Sequence, residues 1–306
     1  MSIVSAGEML LKATEEGYAV GAFNITNLIQ LEAVVEAALE RNAPLIIQTS
    51  VTPSQFLQPQ VISSIYRTIA ESAPIPICLH LDHCTDVAYC KTCADAGYTN
   101  IMIDASKQDI DENIRQTKAV CEYCHSSGDI SVEGELGTVS GIEDQVRVAE
   151  DQAALCDPEE ALEFVNRTGV DIFAPAIGTA HGVYKTKNPK LDFDRLAQIA
   201  EIINGKEASV PLVIHGGTGL KPEVVKKLVS LGGSKFNVST DLKHTLIDTQ
   251  YDYISNHRDE YNPGKIDTAV KVAIKDRIYY WIDLLGCAGK ATKLRYQPSV
   301  DPAKPA

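Results

Sequence analysis

Three histidines follow short apolar runs of the kind that make buried strands. PICLHLD leads into His83, DIFAPAIG precedes His181 by a few residues, and PLVI runs into His215. Three imidazoles with one open position suit a catalytic zinc ion. Carboxylates sit at the same kind of place: Asp82 beside His83, Asp104 after NIMI, and Glu135 within ISVEGELG. An acid beside a metal can move a proton if its pKa is suitable. A lone histidine after an apolar run is usually a satisfied core or loop residue, but three of the chain's seven at three run ends read as a cluster. His80 reads as structural, and His125, His244 and His257 fall in helical or exposed stretches. Further polar residues close the other apolar runs: Asn24, Ser50, Asn237 and Ser239-Thr240-Asp241. Two glycine-rich turns, GTAHG (178–182) and HGGTG (215–219), expose backbone N–H groups and could cradle a phosphate together with Ser239 and Thr240. Thr218 and Ser239 could equally be helix caps.

What brings such residues together is the fold. Eight short apolar runs, 18–24, 44–50, 76–82, 100–106, 130–137, 171–178, 211–217 and 235–240, alternate with helical patterns. They are nearly continuous in apolar character, as expected for parallel strands covered on both faces. Residues 28–42, 158–169 and 221–233 carry helix patterns. The second of these has Asp157 as N-cap, Pro158 at the first helical position and Gly169 after the last turn. Eight such units in about 250 residues predict an α/β fold, a (β/α)8 barrel with extra C-terminal helices. An open doubly wound sheet is the alternative, weakened because no GxGxxG follows the first strand. In a barrel all eight polar run ends meet at one mouth, where barrel enzymes keep their chemistry. The expectation is one barrel domain over residues 1–291 and a disordered tail over 292–306.

Composition narrows the function classes. The 306 residues carry a net charge of −13 and no basic run, so nucleic acid is excluded as an expected partner. No apolar stretch approaches the length of a membrane span, and the first twenty residues read as an amphipathic helix and not as a signal peptide. Eight cysteines without such a signal predict reduced thiols and a cytoplasmic protein. The pairs Cys90/Cys93 and Cys121/Cys124 have zinc-knuckle spacing, yet both lie in helical patterns and read as core cysteines.

The order of VGAFNI, HLDHCTD, MIDAS, DEN, VEGELGTVSGIED, AIGTAHGVYK, IHGGTG, KFNVSTD and GCAGKA, over about residues 3–291, resembles the class II fructose-bisphosphate and tagatose-bisphosphate aldolases. The resemblance implies a zinc-dependent carbon–carbon lyase that reversibly cleaves a ketose 1,6-bisphosphate to dihydroxyacetone phosphate and an aldehyde. It implies His83, His181 and His215 as zinc ligands, with Asp104 and Glu135 around a buried alternative metal position. Asp82 would exchange the proton on the aldehyde-half oxygen, and Glu143, in GIED, the carbon proton of the ketone half. Asn24, Ser50, Gly182, Lys185, Gly216, Gly217, Thr218, Asn237, Ser239 and Thr240 would contact the phosphorylated ketose. The Gly182 and Gly216 carbonyls would also hold a monovalent cation, Na+ or K+. A homodimer or homotetramer is implied. The chemistry agrees: cleavage leaves an enediolate whose charge a zinc ion can stabilise, so no Schiff-base lysine is needed.

The chain departs from the family's pattern where the aldehyde half would bind. Cys84 stands for the usual glycine, Lys107 for a histidine, and Asn237-Val238-Ser239-Thr240 matches neither the fructose nor the tagatose form. The stretch 261–265, YNPGK, lacks the arginine that holds a second phosphate, leaving Lys107, Lys265 or Arg277 as replacements. Tagatose bisphosphate or another ketose 1-phosphate is the near alternative. A zinc hydrolase of the barrel type is a distant one, and a non-catalytic subunit is opposed by the intact set Asp82, His83, Glu143, His181 and His215.

Overall fold

A computed structural model describes residues 2–143, 146–149, 153–182, 184, 189–204 and 209–291. Helix α1 (Ala6–Glu16) leads into β1 (Val20–Asn24), α2 (Leu28–Glu40), β2 (Leu45–Ser50), α3 (Val51–Leu57) and α4 (Pro59–Ala70). Then come β3 (Ile77–Cys84), α5 (Val87–Ala96), β4 (Asn100–Ile103), α6 (Ile110–Ser127) and β5 (Ser131–Leu136). The strands β6 (Ser140–Glu143) and β7 (Val146–Val148), α7 (Pro158–Thr168), β8 (Ile172–Pro175), β9 (Ala180–His181) and α8 (Phe193–Asn204) follow. The chain continues through β10 (Leu212–Ile214), α9 (Pro222–Ser230), β11 (Gly233–Val238), α10 (Thr240–Asn256) and α11 (Pro263–Leu285).

Eight of these strands close a parallel barrel in the order β1-β11-β10-β8-β5-β4-β3-β2. Closure is direct: β1 pairs with β11 on one side and β2 on the other, so the open-sheet alternative fails. Each barrel strand overlaps one of the eight apolar runs and is buried along its length. The predicted punctuation also works. The Asp157 carboxylate accepts from the Glu159 and Glu160 N–H groups with Pro158 in the first turn, and Gly169 takes the left-handed cap at φ 74°. The cysteines of α5 and α6 are free and buried in the core, as the helical pattern implied.

Two features escape periodicity. Strands β7, β6 and β9 make a small three-stranded sheet beside the barrel. Each is two to four residues long, too short to announce itself. Glu143 thus ends one strand of an antiparallel pair, and residues 144–145 between its strands lie outside the described residues. The other feature is the grip of α11 on α2. Val270, Ile274, Ile278, Trp281, Ile282 and Leu285 are buried, while Lys271 and Lys275 pair with Glu32, Glu36 and Glu40 across the helix–helix seam. No helix among the described residues is long and apolar enough to cross a membrane. Residues 292–306 lie outside the described residues.

Candidate active site

The strand ends converge as the barrel requires. In a regular strand Asp82 and His83 would point to opposite faces. Here the β3–β4 register shifts between Leu81 and Cys84, and His83 takes φ 48°, a left-handed conformation rare for a bulky side chain. The bulge turns both neighbours toward the barrel interior, a local strain of the kind found at functional sites. His181 comes from β9 and His215 follows β10 by one residue. The ring centroids of His83 lie 4.8 Å from His181 and 4.5 Å from His215. One nitrogen from each of the three rings falls within 4.8 Å of the others.

Each buried ring is oriented by a carboxylate, the usual support for a metal-ligating histidine. His83 Nδ1 lies 3.0 Å from Asp104 Oδ2. His215 gives Nε2 to Glu133 Oε1 at 3.0 Å and keeps Nδ1, 3.3 Å from Glu135 Oε2. Burial and the His83 ring push the His215 pKa down, but the Glu133 and Glu135 carboxylates outweigh them and raise it to about 9. Burial raises Asp104, yet its bonds to His83 and Ser106 hold it well below the carboxylate range. His83, Asp104 and Glu135, all three buried, form a second potential metal group. Three imidazoles with supporting carboxylates fit a divalent metal, and the donor set is the kind zinc takes.

Asp82 is fully buried and held by amides: Asn24 Nδ2 donates to Oδ2 at 3.0 Å and Asn237 Nδ2 to Oδ1 at 3.1 Å. Gln48, which sequence reading passed over, donates to Asn24 Oδ1 at 2.5 Å and to Asp82 Oδ2 at 3.3 Å. Asn24 therefore sits among groups that orient Asp82. Beside the histidines opens a cleft lined by His181, Gly182, Gly216, Gly217, Thr218, Asn237, Ser239 and Thr240. Gly216 has φ 69°, and a Cβ there would lie 2.4 Å from the Ala180 carbonyl oxygen, so only glycine allows this approach. The Ser239 hydroxyl, at the start of α10, is buried without a hydrogen-bond partner among the described residues, and so is that of Ser50 at the end of β2. Neither serine caps the helix that follows it, which leaves both hydroxyls to a ligand. Tyr184, also missed in the sequence, ties the two glycine turns together. Its hydroxyl donates to the Gly216 carbonyl at 2.7 Å and accepts from the Ala180 N–H at 3.0 Å.

The remaining expected residues divide. Glu143 ends β6, whose Gly141 pairs with His181 in β9; the Glu143 side chain and Lys185 lie outside the described residues. Of the candidate replacements for the second-phosphate arginine, Lys107 is exposed just past β4. Arg277 is committed to Asp241 in the first turn of α10, and Lys265 pairs with Glu260.

A family model described as fructose-bisphosphate aldolase class-II matches residues 4–290. A fructose-bisphosphate aldolase of Staphylococcus aureus (strain Mu50) is 38% identical over 296 residues, covering 95% of this chain and 100% of that protein. One from Helicobacter pylori is 37% identical over 311 residues, covering 94% and 99%. Among solved structures, the YdjI aldolase from Escherichia coli K12 superposes with a TM-score of 0.82 at 31% identity, covering 95% of this chain and all of that one. A structure titled as a putative fructose-1,6-biphosphate aldolase from Coccidioides immitis gives a TM-score of 0.83 at 29% identity, covering 92% and 96%.

Proposed function

The chain belongs to the class II fructose-bisphosphate aldolase family, and we propose that its cleft cleaves fructose 1,6-bisphosphate, reversibly, into dihydroxyacetone phosphate and an aldehyde. The observation that carries this reading is the meeting of three imidazoles, a buried aspartate and a glycine-lined, serine-bearing cleft at one barrel mouth. His83, His181 and His215 would hold zinc, with Asp104 and Glu135 steadying His83 or holding a metal in a second position. Zinc, when bound, acts as a Lewis acid that stabilises negative charge developing on the oxygens of the ketone half.

The protein's own groups do the rest. Gly182, Gly216, Gly217, Thr218, Ser239 and Thr240 cradle the phosphate with backbone N–H groups and hydroxyls, at the N-terminal end of α10, where partial positive charge favours an anion. Asn237 and Ser50 contact the sugar, Asn24 holds Asp82 in place, and Lys185 supplies a cation. Asp82 takes the hydroxyl proton of the aldehyde half in cleavage and returns it in synthesis. Glu143, carried on the hairpin paired to the His181 strand, exchanges the carbon proton of the ketone half while the hairpin excludes water. The Gly182 and Gly216 carbonyls hold a sodium or potassium ion. Residues 1–291 act as one domain, assembled as a homodimer or homotetramer in the cytoplasm.

A second reading keeps the ketone half and changes the other: tagatose bisphosphate or another ketose 1-phosphate. The engagement of Arg277 by Asp241 favours the ketose 1-phosphate within it, because this arginine is then withheld from a second phosphate. A coupled assay for dihydroxyacetone phosphate release from a panel of phosphorylated ketoses separates the two. Fructose 1,6-bisphosphate should give the highest kcat/KM. A higher value for another ketose overturns the substrate, and no release from any member overturns the aldolase reading.

A further inference from the structure

Lys235, in β11, lies beneath the cleft with its side chain fully enclosed. An ammonium has three donors and no acceptor. Nζ has three acceptors in reach: Asn237 Oδ1 at 2.8 Å, Glu133 Oε2 at 2.9 Å and His80 Nε2 at 3.4 Å. Two of the three lead directly to the chemistry. Glu133 uses its other oxygen on His215 Nε2, and Asn237 uses its NH2 on Asp82 Oδ1.

We infer that Lys235 is a positioning residue, one buried cation that sets both the metal-facing nitrogen of His215 and the orientation of the amide that holds Asp82; this rests on the aldolase reading above. Lys235 can only donate, so it claims the oxygen of the Asn237 amide, and the NH2 must turn to Asp82. Its attraction anchors the Glu133 carboxylate, which accepts the His215 Nε2 proton and leaves the Nδ1 lone pair for a ligand. His80 closes the network. With Nε2 accepting from Lys235, the neutral ring carries its proton on Nδ1, which lies 2.6 Å from Asn100 Nδ2. The Asn100 oxygen lacks a hydrogen-bond partner among the described residues, and turning this amide end for end, an exchange of O and N of equal shape, gives that proton its acceptor. A lysine at the heart of an aldolase barrel invites a Schiff-base role, but this one is closed from solvent, ion-paired with Glu133 and within hydrogen-bond reach of Asn237 and His80. It serves the two groups that replace such chemistry.

The test compares wild type, Lys235→Met, and the double variant Lys235→Met/Glu133→Gln, which removes both buried charges at nearly constant volume. Zinc affinity is measured by chelator competition, the metal-site geometry by the absorption spectrum of the cobalt-substituted protein, and kcat and KM separately. The expected result for both variants is zinc affinity weaker by about 10–100-fold, the usual consequence of losing an outer support of a metal ligand. The cobalt spectrum should shift, and kcat should fall with KM for the ketose phosphate nearly unchanged. Thermal unfolding reports whether each variant folds; the double variant is retained because Lys235→Met alone leaves a carboxylate buried without its cation. Wild-type zinc affinity, cobalt spectrum and kcat in the folded double variant overturn the inference. Wild-type protein that neither binds zinc nor releases dihydroxyacetone phosphate overturns the aldolase reading, and this inference with it.

Discussion

At the scale of single residues the site is a set of polar side chains held by other polar side chains. Asp82 is the sharpest case, because it is buried, faces the histidines and is fixed by amide donors from β1 and β11. Replacing it by alanine should lower kcat by about 10²–10⁴-fold, the usual worth of a positioned acid or base. Zinc content should stay near that of wild type, since His83, His181 and His215 are untouched; metal analysis beside steady-state kinetics checks both halves. The histidines and Asp82 were legible in the sequence because each ends an apolar run. Their supports were not. Gln48, Glu133 and Lys235 sit inside apolar runs where a polar residue looks like an irregularity, and their partners lie far along the chain. Nor does composition signal that Asp82 and His83 can face the same way. That depends on a bulge and a left-handed residue, which tertiary packing imposes.

At the scale of elements, the small sheet explains how a loop-like stretch is aimed. Strand β6 lies parallel to β9, so Glu143 ends a strand paired with the one that carries His181. Gly141 makes this possible: its φ is 113°, and a Cβ would stand 2.2 Å from the His181 carbonyl oxygen. Gly141→Ala should push the hairpin off the site. The expected outcome is a large loss of kcat with only a small loss of thermal stability, because β6 and β7 lie outside the barrel. Undiminished kcat would count against a catalytic hairpin. Tyr184 acts similarly on the glycine turns. Tyr184→Phe removes one donor and one acceptor that join them, a change worth about 1–3 kcal/mol where such groups are left unsatisfied. It should appear chiefly as a raised KM for the phosphorylated substrate. The helices and barrel strands were readable because caps and apolar runs are local signals. Strands of two to four residues, defined by pairing alone, are not.

The whole molecule is a barrel closed between its first and last strands, and α11 lies across that seam, packed on α2, α9, α10 and β1. Trp281 links this helix to the site: its indole donates to Asp241 Oδ2 at 2.7 Å, in the first turn of the helix that Ser239 and Thr240 begin. Trp281→Ala should destabilise the protein by about 3–5 kcal/mol, as large-to-small core substitutions do, and equilibrium denaturation measures it. Fold class was evident from eight alternating units, since parallel apolar strands covered on both faces make either a doubly wound sheet or a barrel, and no GxGxxG follows the first strand; direct pairing of β1 with β11 closes the barrel. The aldehyde-half specificity was not, because it depends on which cations remain available, and Arg277 and Lys265 turn out to be paired.

In the proposed reaction a metal at three histidines does the work of an electron sink. The direct measurement is dihydroxyacetone phosphate release from fructose 1,6-bisphosphate by chelator-stripped protein, before and after zinc is returned, with borohydride added to a parallel sample during turnover. The expected result is no release when stripped, full release when zinc is restored, and no borohydride inactivation. Activity that survives stripping, together with a substrate adduct trapped on a lysine, would contradict it.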